Sequence, residues 1–235
     1  MDRLQKFITN HTSKNEYNIV RFPKYIIKAY IRKYPYNYFE IGYIYEFYYK
    51  KIEKMNEYYV KSDNSNAMVY LGNYYKYIKQ DYDLMYKYYN MAVELGNSNA
   101  MIYLGEYYYT LGCYDLMYKY YNMAVELGDS RGLVELGLYY YHVQKYDMME
   151  KSYTDAIKLG DGRALWYIIT YYMKNHNYDL MDKYLNIAIE LGIPASMLWI
   201  FNCLNYKLWN KYLQMSIKLN HTYIITMFKY CLYNF

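Results

Sequence analysis

The chain has 235 residues, 55% hydrophobic and 21% charged, with a net charge of +5 and 43 tyrosines. That balance excludes a disordered tail, and the lack of any run of about eighteen unbroken apolar residues excludes a transmembrane helix. Cys113, Cys203 and Cys231 are far apart and form no CxxC pair, and Met1-Asp2-Arg3 opens no apolar leader, so the expectation is an intracellular, cytoplasmic protein with reduced thiols.

Residues 1–34 carry Arg3, Lys6, Lys14, Arg21, Lys24, Lys28, Arg32 and Lys33 against Asp2 and Glu16, so the excess positive charge is all at the front. Tyr25–Lys33 reads as a short basic amphipathic helix with Ile27, Tyr30 and Ile31 on its apolar side. Two roles stay open for it. One is a cap that shields the first repeat. The other is a docking segment for an anionic partner: nucleic acid, an acidic protein or a membrane surface.

From residue 35 onward the chain is periodic. Residues 35–64 form a worn unit, in which Ile41-Gly42-x-x-Tyr45 echoes the first helix of the later units. Units then run 65–97, 98–129, 130–161 and 162–193, a shortened one covers 194–221, and 222–235 would be a closing helix. The string Tyr-Asp-Leu-Met-Tyr-Lys-Tyr-Tyr-Asn-Met-Ala-Val-Glu-Leu-Gly at Tyr82–Gly96 recurs unchanged at Tyr114–Gly128. Gly160 and Gly192 continue its spacing, and a fixed period of this size marks a stacked-repeat architecture.

Each unit divides into two helices, A and B. In the second copy of the string, Met117, Tyr121, Ala124 and Leu127 fall on one side of helix B. Asp115 stands in its first turn and Gly128 at its left-handed end. Ala92, Ala124, Ala156 and Ala188 are small enough for another helix to come close. In helix A of the 98–129 unit, Met101, Leu104, Gly105 and Tyr108 form the matching stripe, with Ser65, Ser98 and Ser130 placed to cap three A helices. The 65–97 unit has one extra residue near Lys79-Gln80. Ile169 replaces the A-helix glycine of the earlier units, and Phe201 stands at that place in the shortened one, so both should force helices A and B apart.

The residues Ala67-Leu71-Gly72-Tyr75 and Ala100-Leu104-Gly105-Tyr108, with Leu136-Gly137-Tyr140 and an Ala-x-x-x-Gly close to each B helix, resemble the Sel1-like branch of the tetratricopeptide superfamily. The likeness spans about residues 65–221. It departs from the family in unit length and in Met85, Met117, Met149 and Met181, where the family prefers Ala. The resemblance implies an all-α, right-handed α-solenoid of helix-turn-helix repeats, with the A helices lining a concave side. Tyrosine, Asn, Ile and Lys are abundant, which fits an AT-biased genome; repeat proteins of large DNA viruses are similar, implying host cytoplasm as the location. The tyrosines also fit a binding surface, and both readings can hold together.

No catalytic constellation emerges. GxxxxGK[ST], GxGxxG after a strand, HExxH and GxSxG are all missing. His11, His142, His176 and His221 lack metal-ligand spacing, and Glu94, Glu126 and Glu190 recur as helix-surface charges. Neither an enzyme, a cofactor nor a metal is expected. On the resemblance, the concave A-helix places hold Asn66, Val69, Asn73 and Tyr77, then Asn99, Ile102, Glu106 and Tyr109. Arg131, Val134, Leu138 and Tyr141 follow, then Trp166 and Thr170. The carboxylate clamp of some tetratricopeptide proteins is not reproduced, because Glu135 stands where a cation is needed. The expectation is a protein–protein interaction scaffold holding a peptide or helix in its groove, with nucleic-acid binding through the basic N-terminal segment as the alternative.

Overall fold

A computed structural model describes Leu4, residues 24–191, Gln214 and Ile217. The expected 222–235 helix, Phe201, Gly192, Cys203 and Cys231 lie outside the described residues, as does the 194–221 unit apart from Gln214 and Ile217. The described residues contain helices and turns without strands, in two compact units that divide after Leu111.

The first unit contains α1 (Lys24–Lys33), α2 (Tyr38–Phe47), α3 (Ile52–Lys61), α4 (Ser65–Tyr74), α5 (Tyr82–Glu94) and α6 (Ser98–Thr110). The basic helix begins one residue earlier than expected. It buries Ile26, Ile27 and Tyr30 with Leu4 and Ile44, while Ile31 lies at the edge of that cluster. The buried Glu40 carboxylate accepts from the Leu4 N–H at 3.4 Å and from Asn37 Nδ2 at 2.6 Å, which ties Leu4 to the start of α2. The worn unit is a true helix pair, with α2 and α3 packed together.

The extra residue near Lys79-Gln80 does not loop out. The chain widens into a π-helical turn, Tyr75–Lys79, directly after α4. Asp81 N–H reaches back to Tyr75 O at 3.0 Å, and Gln80 turns the chain at φ 55°. A π turn is how a helix absorbs one residue while keeping its flanking faces in phase.

The second unit contains α7 (Tyr114–Glu126), α8 (Arg131–His142), α9 (Tyr146–Lys158), α10 (Gly162–Lys174) and α11 (Tyr178–Glu190). Helices α7 and α9 end as expected at left-handed glycines, Gly128 and Gly160: Gly128 N–H bonds Val125 O and Asp129 N–H bonds Ala124 O, the paired closure of a Schellman end. The A-to-B turns use the same closure with Gln144 and His176 at positive φ, which the sequence did not announce.

Two expectations are corrected. Leu127 is 54% exposed, because α7 stops at Glu126 and Leu127 is already the capping residue; Leu95, Leu159 and Leu191 are exposed in the same way. The caps lie one residue before the expected serines of α4 and α6: Asn64 Oδ1 accepts from the Asn66 and Ala67 N–H groups, and Asn97 Oδ1 from Asn99 and Ala100. Ser130 precedes α8 without capping it, and Asp129 Oδ1 accepts from Arg131 N–H instead. Ile169 keeps its place in the core. It is fully buried, and the B-helix place that holds Tyr89 and Tyr153 in other units holds the smaller Leu185, also buried.

Candidate interaction surface

The sequence-derived face must be separated by burial. Asn66, Tyr77, Tyr109 and Tyr141 are exposed, and Asn73, Asn99, Glu106, Arg131, Leu138 and Trp166 are partly so. Val69, Ile102, Val134 and Thr170 are buried, which removes them from any contact surface. The cause is packing on two sides. Helix α8 lies against both α7 and α9, α10 against α9 and α11, and α4 against α3 and α5. An A helix held between two B helices needs a wider apolar stripe than one helix pair would require.

In the first unit the face is organised by Tyr89. Its ring stacks on Tyr103 at 5.6 Å, and its hydroxyl donates to Asn73 Oδ1 at 2.6 Å. Burial pushes the Tyr89 phenol above its usual range, with Tyr77, Tyr103 and Glu106 adding to the shift. Lys76 Nζ lies 5.0 Å from the Tyr77 ring centre and 6.0 Å from that of Tyr103. Asn66 is engaged as well: Asn97 Nδ2 donates to Asn66 Oδ1 and to Ser65 Oγ, both at 3.0 Å. The polar start of one A helix is thus bonded to the next.

In the second unit the face runs over α8 and α10. Tyr153 from helix B stacks on Tyr167 at 5.6 Å with rings 8° from parallel, and Trp166 meets Tyr167 edge-on at 4.7 Å. Tyr141 meets Tyr171 edge-on at 6.1 Å. Burial raises the Tyr153 phenol, and Tyr167, Glu135 and Tyr141 raise it further, so these groups converge on one hydroxyl. Arg131 is held by Asp129, and Arg163 by Asp161. The Thr170 hydroxyl is buried without a hydrogen-bond partner among the described residues.

Sequence reasoning missed Tyr103 and Tyr167, the rings that lock this face. Their signal was present, since Tyr70, Tyr103 and Tyr167 share one A-helix place and Tyr70 also stacks on a B-helix ring, that of Tyr59. His142, the last residue of α8, and His176, in the turn after α10, are both exposed. Among the described residues no cluster of three His, Cys, Asp or Glu could hold a metal ion, and no helix is long and apolar enough to cross a membrane.

No protein-family model matches the sequence, and comparison with curated proteins gives no match. Solved structures do match. A Sel1 repeat protein from Oxalobacter formigenes aligns with a TM-score of 0.56 at 19% identity, over 79% of this chain and 88% of its own. The protective antigen c5321 of uropathogenic Escherichia coli, which displays an SLR fold, aligns with a TM-score of 0.54 at 19% identity over 80% of this chain. The present chain spans 47% of that antigen's length. At this identity the likeness establishes the fold, an all-α helical-repeat fold of the Sel1 solenoid class, and lends no support to a viral origin.

Proposed function

We propose that the chain is a non-enzymatic protein–protein interaction scaffold, which receives a peptide or helix on the A-helix faces of its units. One observation carries this reading: the exposed or half-exposed aromatics of these faces are already held in place. Trp166 rests on Tyr167, which is stacked on the buried Tyr153, and Tyr141 is braced by Tyr171. Side chains fixed before a partner arrives lose little rotamer freedom on binding, so more of their buried area appears as affinity. Tyr, Trp and Arg are also the residues that dominate interface energies. The fold alone does not decide function; the support comes from the braced aromatics.

The test is selection of binding peptides by display on the intact chain, then calorimetry of the selected peptides. Trp166→Ala and Tyr141→Ala should each weaken binding about tenfold. Peptides whose affinity is indifferent to both changes would mean that binding uses another surface.

A further inference from the structure

Helix α1 does two things at once. Its apolar face is consumed by the fold, since Ile26, Ile27 and Tyr30 are buried with Leu4 and Ile44. The opposite face carries Lys24, Lys28 and Arg32 at four-residue spacing, each exposed. That spacing advances ~6 Å per step along one side of a helix. The helix contains no acidic residue, and none of these three cations makes an ion pair among the described residues. Tyr25, 71% exposed, lies on the same face beside Lys24 and Lys28. Tyr36, 81% exposed, stands just past the end of the helix.

The arrangement discriminates among anionic partners. A helix that lies on a membrane needs a free apolar face to insert, and here that face is already inside the protein. An acidic protein would answer the charges, but it would bury these two rings only through a pocket shaped to each. Single-stranded nucleic acid answers both, because phosphates pair with a line of cations while bases stack on exposed aromatic rings without regard to sequence. We infer that α1, with Tyr25 and Tyr36, is a docking site for single-stranded nucleic acid. This site is separate from the A-helix faces and stands or falls without them.

The experiment is fluorescence anisotropy of a labelled oligo-dT, about twenty nucleotides long, with the full chain at about 50 and about 200 mM salt. Three phosphate contacts give a salt slope near −2 for single strands, so affinity should fall about twentyfold between the two conditions. The triple variant Lys24→Glu, Lys28→Glu, Arg32→Glu should abolish binding. The same charge change on the B helices, Lys87→Glu, Lys119→Glu, Lys151→Glu, should leave most of it. Tyr25→Ala should weaken binding at least about fivefold with the salt slope unchanged, because stacking releases no counterions. Melting curves confirm that each variant is folded. Binding by the triple α1 variant, no binding at the lower salt, or indifference to Tyr25→Ala overturns the proposal. So does equal affinity for a duplex of the same length, for phosphatidylserine vesicles or for polyglutamate.

Discussion

Gly137 on α8 lies directly beneath the ring of Tyr153 on α9, so close that a Cβ built on the glycine would overlap Tyr153 Cε1 and Cδ1. Gly42 with Tyr59 and Gly72 with Tyr89 repeat the arrangement. The glycine is there because a large ring crosses it, and the 162–193 unit supports this reading by changing both partners: Ile169 stands for the glycine and Leu185 for the tyrosine. Gly137→Ile should therefore destabilise by about 2–3 kcal/mol through overpacking, and Tyr153→Leu by a similar amount through the space it opens. Combined, they should cost clearly less than the two losses added, with a coupling of about 1–2 kcal/mol. Denaturant unfolding of the four proteins measures this, and strict additivity would show that the two places do not pack as a unit.

Asn97 serves two helices. Its Oδ1 caps α6, and its Nδ2 donates to Ser65 and Asn66 at the start of α4. Asn97→Ala should cost about 2 kcal/mol, a cap plus bonds made by a buried amide. Asn97→Asp keeps the acceptor for the cap and loses only the donor, so it should recover about half. If aspartate is no better than alanine in chemical denaturation, the cap contributes nothing.

Asp161 gives the pH dependence. Burial raises its pKa, but hydrogen bonds from Arg163 and Ser130 outweigh that, and the carboxyl is held below its ordinary 3.8. The unfolded chain therefore takes up the proton first as pH falls. The stabilisation from this group is complete above the ordinary value and is lost as pH drops through the depressed one. Wild type should lose stability on acidification below about pH 4, while Asp161→Asn starts lower at neutral pH and declines less steeply over that window. Parallel declines in pH-dependent melting would assign the acid sensitivity to other carboxyls.

The π turn Tyr75–Lys79 holds one residue more than the matching stretches before Gly112 and Gln144. Ile78 is exposed within it. Deleting Ile78 should let the helix close as an ordinary α end, leaving circular dichroism unchanged and stability equal or up to about 1 kcal/mol higher. A loss greater than that would mean that the wide turn supports the packing of its neighbours.

Much of this architecture is legible in the residues, and what escapes has a common cause. The 32-residue period, the left-handed Gly128 and the buried Ala124 can be read from local chemistry, and so can the core methionines Met85, Met117, Met149 and Met181. Leu127 misleads because periodicity continues one step past the point where the helix stops. Val69, Ile102 and Val134 mislead because a single helix pair would leave them outside; only the helix stacked on the other side buries them. The Ile169–Leu185 exchange was written in the sequence but becomes visible only when two helices are laid against each other. The same holds for Tyr167, whose role is set by Tyr153 from another helix.

The map of the binding face can be tested against the map of the core on the same proteins. Tyr109 is exposed and Trp166 partly so, whereas Tyr121 is buried in helix B. Tyr109 is 38% exposed, so Tyr109→Ala should lower stability by no more than about 1 kcal/mol. Trp166→Ala also loses its contact with Tyr167 and should cost slightly more. Tyr121→Ala empties a filled core place and should cost about 3–5 kcal/mol. Affinity should take the reverse order, falling by ~1–2 kcal/mol on Tyr109→Ala for a peptide selected on the first unit's face and on Trp166→Ala for one selected on the second, and holding for Tyr121 at temperatures where it remains folded. Circular dichroism melting and calorimetry on each variant give the two rankings. If the Tyr109 and Trp166 variants melt early and bind normally, these rings belong to the core and the partner docks elsewhere.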